Sequence, residues 1–336
     1  MNNKIQVLDC TLRDGGYVND WDFGDENAKE IVGQLSLTGV DYVEVGFIKL
    51  CDYKKDKIQF NHMDQIASLF RPSTQKLSVI VEVGYGYPVT SFPPCSEKTV
   101  DLVRVIMWKR SLKDGLTYCR RLKELGYEVG VQPTRVEQYT DDEYATLMRE
   151  FSEINPKAIY IVDTFGLLTE DKLLHYAQIA DDNLGKEIRL GYHAHNNMQQ
   201  AFSNAIAFMR HPWKHEIMLD ASVTGMGRGA GNLCLELLFK YLNEHKLGFY
   251  NMDPICEVAS IIEQYYPIAP WGYSIPYYLS AINGRNPSYV LYMNKFNLTI
   301  SQIASVFRTM RERGVGITFD TAMCDSIVNE IKNQTK

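Results

Sequence analysis

The sequence predicts an α/β fold, a (β/α)8 TIM barrel with a small, mainly helical C-terminal extension, and three observations lead there. Eight short, apolar, β-branched runs recur along the chain, each followed by a helix or a segment long enough for one; together they span about 240 residues, the usual size of one α/β barrel. Polar residues gather where these runs end: Arg13 and Asp14, Glu44, Gln132, Asp163, His193 and His195. In a barrel those ends share one face, where active sites are built, whereas a doubly wound open sheet, the competing arrangement, would scatter them along an edge.

The elements follow in order. Ile5–Leu8 is a buried strand that gives way to a glycine-rich loop carrying Arg13 and Asp14, with Asp9 at its mouth. Three ionisable groups at the end of a buried strand are costly unless paired or bound to a metal. Asp25–Leu37 has apolar residues at helical spacing, and Asp41–Gly46 is the second strand. A helix over His62–Phe70, stopped by Pro72, precedes the β-branched strands Leu77–Val83 and Leu102–Trp108. Leu112–Leu125 places Leu112, Leu116, Cys119 and Leu122 on one helical face.

The alternation continues with strand Tyr127–Val131, helix Asp141–Ile154, strand Ala158–Val162 and helix Thr169–Asp182. Strand Ile188–Tyr192 ends in His193-Ala-His195, followed by helix Gln199–Met209, strand Ile217–Leu219 and helix Asn232–Asn243. Residues 1–247 are therefore the expected barrel domain and 248–336 an aromatic-rich helical extension, with helices over Leu298–Arg311 and Ala322–Ile331. The aromatic stretches ahead of these helices, Tyr265–Tyr273, Pro276–Tyr278 and Tyr289–Met293, are expected to pack against the barrel or a partner subunit of a homo-oligomer.

A net charge of −6 leaves no basic excess to neutralise phosphates, so neither nucleic acid nor an anionic membrane is an expected partner, while a local basic pocket for a small anion stays open. No uncharged run approaches the roughly 18 residues of a membrane span. Seven scattered cysteines without a Cys-x-x-Cys pair indicate neither a disulfide framework nor a zinc ribbon. The amino terminus enters a strand without a signal-like segment, and a reducing cytoplasm is the expected setting.

His193-Ala-His195 is the sharpest local pattern. Residues two apart on a strand face the same side, so both imidazoles should meet at the barrel rim. Asp14, two strands away, can complete a set with open positions, the form of a catalytic metal site. The bland alternative is a pair of satisfied core histidines. Arg13 is expected to stabilise an enolate oxygen, with Glu44 orienting it, or the two form a structural ion pair. Gly225-Met-Gly-Arg-Gly-Ala-Gly-Asn232, ending the eighth strand, would present backbone N–H groups of Gly227 and Gly229 to an anion, with Gln132 as a further substrate contact. Tyr17, Tyr192 and Tyr273 could each transfer a proton or simply line a pocket.

Asp9-Cys-Thr-Leu-Arg-Asp14, Glu44, His193-Ala-His195 and the Gly225–Asn232 loop together resemble the DRE-TIM metallolyase superfamily, the HMGL-like pyruvate carboxyltransferase/aldolase domain, over roughly residues 3–245. The glycine loop and the Arg-Asp-Gly continuation are most similar to the 4-hydroxy-2-oxovalerate aldolase branch; the lyase branch carries a catalytic cysteine where Arg228 and Gly229 stand. The resemblance implies a divalent metal, Mn2+ or Mg2+ ahead of Zn2+ or Co2+, held by Asp14, His193 and His195. Asn232 would be a fourth ligand or a helix cap. It also implies small 2-oxo acid and aldehyde substrates, cleaved or joined next to a pyruvate enolate, and an aldehyde dehydrogenase as a partner in the family. One position departs: the aldolase's proton-transferring histidine is Tyr17 here. A tyrosine is a poorer base at neutral pH, so the proton path or the substrate differs. Tyr273 would correspond to the family's C-terminal tyrosine. An acyl-CoA-dependent Claisen-type enzyme and a catalytically silent metabolite-binding barrel are the alternatives.

Overall fold

The computed structural model describes residues 4–71, 73–316 and 318–334; the helix stop expected at Pro72 lies outside them. Its strands are β1 (Ile5–Asp9), β2 (Tyr42–Ile48), β3 (Gln59–Phe60), β4 (Leu77–Glu82), β5 (Leu102–Met107), β6 (Glu128–Pro133), β7 (Ala158–Asp163), β8 (Arg189–Ala194) and β9 (Ile217–Ala221). All pair in parallel, in the order β1-β9-β8-β7-β6-β5-β4-β2, and β1 also pairs with β2. The sheet is thus a closed eight-stranded barrel, with the two-residue β3 added outside it on the end of β2.

Around the barrel stand α1 (Thr11–Asn19), α2 (Asp25–Ser36), α3 (Met63–Phe70), α4 (Leu112–Glu124), α5 (Asp141–Ser152), α6 (Glu170–Asn183), α7 (Ala201–Arg210) and α8 (Leu235–Glu244). The link from β4 to β5 holds only a 3-10 turn at Val89–Ser91, because Gly84, Gly86, Pro88, Pro93 and Pro94 deny it a helix. No helix among the described residues is long and apolar enough to cross a membrane.

Strand alternation divides the barrel's side chains. Val7, Val43, Val79, Val103, Val129 and Ile161 face the helices in one large core. Leu8, Tyr42, Leu102, Ala158, Tyr160 and Met218 form a separate cluster inside the barrel. Tyr160 fits there because two strands leave room for it. A Cβ at Gly191 would lie 2.5 Å from the Tyr160 ring, and one at Gly130 would lie 3.0 Å from Arg104 Cγ. The Arg104 guanidinium sits 4.9 Å from the centre of that ring.

Two expectations change. The residues after β1 form helix α1 rather than a loop, and Gly15 and Gly16 serve close packing instead of a turn. Cβ atoms there would sit 2.6 Å from Met226 Sδ and 2.0 Å from the Trp21 ring. The last barrel helix, α8, begins at Leu235, so Asn232 precedes it and is bridged to His195 instead of capping a helix.

Beyond the barrel come α9 (Asp253–Ile262), α10 (Ile275–Ile282), α11 (Ser288–Met293), α12 (Ile300–Glu312) and α13 (Thr321–Gln334). Ile255, Val258, Ile262, Tyr265 and Trp271 join the barrel's own core. A second core of Tyr277, Tyr289, Met293, Val306, Phe307, Met310, Ile327 and Val328 draws in Ala230 from the glycine loop, which fastens these helices to the barrel's rim. The fit of Tyr160 against β8 gives a direct test. Gly191→Ala should destabilise the fold by about 1–3 kcal/mol through overpacking, read as a lowered urea midpoint with an unchanged slope.

Candidate active site

The carboxyl ends of the strands enclose a cavity of about 600 Å³. Arg13, Asp14, Tyr17, Gln132, His193 and His195 line it, as do Glu82, Trp108, Arg228 and, from the connections between the C-terminal helices, Asn286, Pro287 and Phe319. Tyr273 does not: half exposed, it follows Gly272 (φ +113) just before the Ser274 cap of α10. Tyr192 does not either, because it faces away from the barrel interior against Phe208.

Beneath the cavity, six buried ionisable side chains close a ring. Arg13 Nη1 pairs with Asp14 Oδ1, and Arg13 Nε donates to Glu44 Oε2 at 2.7 Å. Arg104 Nη1 donates to the same Glu44 oxygen at 2.7 Å, and its Nη2 pairs with Asp220 Oδ2. Asp220 Oδ2 lies 2.8 Å from His193 Nδ1, and His193 Nε2 lies 3.5 Å from Asp14 Oδ2. Gln132 is held here too, its amide oxygen assigned toward Arg104 Nε at 3.0 Å.

Burial pushes Asp220 up to about 6 against the pull of Arg104, and lifts Glu44 as well. For Asp14 burial pulls the same way, but Arg13, His193 and His195 outweigh it and hold the carboxyl down at about 2. Burial pushes His193 well below its usual value and lowers His195, so both imidazoles are neutral near pH 7.

Neutral imidazoles beside an ionised carboxylate are metal ligands in the required protonation state. The Nδ1 atoms are committed elsewhere, to Asp220 for His193 and to the Asp163 carbonyl oxygen at 3.0 Å for His195, which leaves the Nε2 atoms for an ion. The two rings stand 5.0 Å apart. Asn232 Nδ2 donates to Asp14 Oδ2 at 2.8 Å, while its Oδ1 is buried without a partner.

Ligand atoms of Cys10, Asp14 and His193 lie within 4.8 Å of one another, which makes Cys10 a rival to His195. Cys10 is the weaker candidate. Burial and Asp14 raise its thiol far above the usual range, it donates to the Ala221 carbonyl at 3.3 Å, and it does not line the cavity. The donor set of two nitrogens and carboxylate or amide oxygen fits a divalent cation.

The glycine loop is largely closed on itself. The N–H groups of Gly225, Met226, Gly231 and Asn232 bond to carbonyls of the same turn, and the positive φ of Gly225 and Gly231 lets the loop close on itself. Gly227 backs Asn232, where a Cβ would meet its amide at 2.7 Å, and Gly229 packs on Pro287. Neither lines the main cavity; Arg228 between them does.

Arg104 and Asp220 complete the site without having been singled out in the sequence, although a charge inside a β-branched strand is the signal each one carries. Arg104→Met would leave Glu44 and Asp220 buried without their shared cation and should cost about 3–5 kcal/mol, measured by urea unfolding. Asp9, by contrast, belongs to the backbone. It is fully buried, bonding the Thr11 N–H at 3.0 Å and hydroxyl at 2.7 Å. Burial raises its carboxyl from 3.8 to about 7, so the folded state binds the proton more tightly than the unfolded chain. Its contribution to stability should fall as pH rises from about 4 to about 7, and Asp9→Asn should flatten that slope in denaturation at fixed pH values.

Residues 4–262 match the HMGL-like family model. The chain is 25% identical over 286 residues to oxaloacetate decarboxylase of Mycobacterium tuberculosis, covering 81% of this chain and 82% of that protein. It is 24% identical over 277 residues to 4-hydroxy-2-oxovalerate aldolase of Carboxydothermus hydrogenoformans, covering 79% and 77%. The carboxyl transferase domain of Rhizobium etli pyruvate carboxylase, solved with pyruvate, superposes with a TM-score of 0.70 at 14% identity. That match covers 99% of this chain and 61% of the other, so the likeness in fold extends through the C-terminal helices. With the barrel, the motifs and the family match in agreement, the chain belongs to the HMGL-like family of aldolases and lyases, the DRE-TIM superfamily.

Proposed function

We propose that this protein is a divalent-metal-dependent aldolase that makes or breaks the carbon–carbon bond next to a pyruvate enolate, with 4-hydroxy-2-oxo acids as substrates. The observation that carries the reading is one donor. Arg13 commits Nε to Glu44 and Nη1 to Asp14, and its Nη2 is buried without a partner in a residue that lines the cavity. Such a donor, fixed before substrate arrives, suits an oxygen that becomes negative in the transition state.

In cleavage the 4-hydroxyl loses its proton, the bond between C3 and C4 breaks, and the electron pair becomes the enolate of pyruvate, which takes a proton at C3. A divalent cation held by Asp14, His193 and His195, with Asn232 as a further ligand, would supply a Lewis acid for the oxo and carboxylate oxygens. Arg13 donates to the enolate oxygen, and Glu44 keeps the guanidinium in place. Burial raises the Tyr17 phenol while Arg228 opposes the rise, so at neutral pH Tyr17 holds its proton and can deliver it.

The same feature favours a second reading, decarboxylation of oxaloacetate, which forms the same enolate without a base to remove a hydroxyl proton. The Mycobacterium tuberculosis relative carries that name. Parallel assays of pyruvate release from 4-hydroxy-2-oxovalerate and from oxaloacetate separate the two. Arg13→Ala should lower kcat by roughly 100-fold with the circular dichroism spectrum preserved. Near-normal turnover would remove Arg13 from the chemistry. Chelation should abolish activity and lower the Tm, and native mass spectrometry should detect a bound divalent ion on the wild-type protein and none on Asp14→Asn.

A further inference from the structure

Arg228 is built as a ligand-binding cation. Its Nη2 pairs with Asn286 Oδ1 and donates to Ser288 Oγ at 3.3 Å, and the guanidinium lies 5.3 Å from the centre of the Tyr17 ring. These partners are neutral. Among the described residues Arg228 forms no ion pair, and its Nε is buried with no hydrogen-bond partner. A mostly buried guanidinium with no carboxylate in contact is unfavourable by itself: burial pulls its pKa down, and Asp14 and Glu82 of the same cavity, acting at longer range, do not outweigh it.

Its position gives that charge a use. The residue lines the cavity that also holds Asp14 and His195. The same cavity continues past it to Trp108, Arg110, Asn286, Thr318 and Phe319. At about 600 Å³ the space falls in the range of sites that enclose sizeable ligands, which pyruvate with a two-carbon aldehyde would leave largely empty. Arg110, exposed at its edge, adds a second cation without an ion pair among the described residues.

We propose that Arg228 determines specificity at an acceptor subsite for an aldehyde, or the matching end of a longer 4-hydroxy-2-oxo acid, that carries a carboxylate or phosphate. The inference rests on the pyruvate-enolate reading above. In the condensation, the methyl group of pyruvate loses a proton, its carbon bonds to the aldehyde carbon, and the former carbonyl oxygen takes up a proton. The distal anion passes through unaltered, held by Arg228 in a charge-assisted hydrogen bond.

Matched acceptors test it: succinic semialdehyde against propanal for a carboxylate, and glyceraldehyde 3-phosphate against glyceraldehyde for a phosphate. With pyruvate as donor, the anionic member of at least one pair should have a kcat/KM at least tenfold higher. In Arg228→Gln that ratio should fall by about tenfold or more, mainly through KM, with Arg228→Lys intermediate. Equal rates within both pairs, or a preference that survives Arg228→Gln, overturn the subsite. Should that variant not fold, the wild-type ratios and Arg228→Lys carry the test. Exchange of the methyl protons of pyruvate with D2O, followed by NMR without aldehyde, reports on the enolate separately. Exchange without anion preference sinks only the subsite. Absence of exchange sinks the enolate reading, and calorimetric titration with succinate and inorganic phosphate then decides the subsite. Binding weakened at least tenfold in Arg228→Gln supports it, and equal binding overturns it.

Discussion

Asp14, Arg13, Glu44, Arg104, Asp220 and His193 support one another in a single closed chain of contacts, and the rest of the site depends on it. Any one of these groups alone in the barrel interior would cost several kcal/mol in lost hydration. Together they alternate in sign, with two guanidiniums between three carboxylates and a neutral imidazole where the third cation would stand. The surplus negative charge falls beside Asp14, the group whose carboxyl is held at about 2. The ring thus fixes Arg13 and His193 in place and leaves a position where a cation is favourable.

The strands that carry the ring explain why part of it was legible and part was not. His193 and His195 share one strand end two residues apart, so periodicity alone puts them on one side. Arg13 and Asp14 sit just past the end of β1, Glu44 lies inside β2 rather than at the strand end expected of it, and the family motifs mark all three. Arg104 meets Glu44 and Asp220 across 60 and 116 residues, pairings set by barrel closure, which no local pattern encodes. The eight barrel strands are readable because each is a β-branched run between breakers. Helix α1 is not, because its two glycines suggest a turn until the side chains of Met226 and Trp21 are seen against them.

The glycine loop shows how a motif can stand where its sequence places it and still do more than its glycines suggest. Its glycines suggest backbone donors for an anion, yet they let the turn close on itself and bring Asn232 beside Asp14. What the loop sends into the cavity is a side chain, Arg228, and the C-terminal helices hold it there through Asn286 and Ser288. An extension that looks in sequence like packing material therefore supplies part of the cavity wall.

Tyr17 and Arg228 are best understood as a pair. The guanidinium lies 5.3 Å from the centre of the phenol ring, and Trp21 meets the same ring edge-on with centroids 4.6 Å apart, so the tyrosine packs against both groups. A histidine at position 17 would be partly charged near pH 7 and would repel a cation placed there, whereas a phenol attracts one through its face. A tyrosine at position 17, where the resemblance implies a histidine in the aldolase branch, is thus compatible with the Arg228 cation at the cavity wall. The acceptor subsite proposed above draws on the same pairing, because the guanidinium over the phenol keeps a buried Nε with no hydrogen-bond partner.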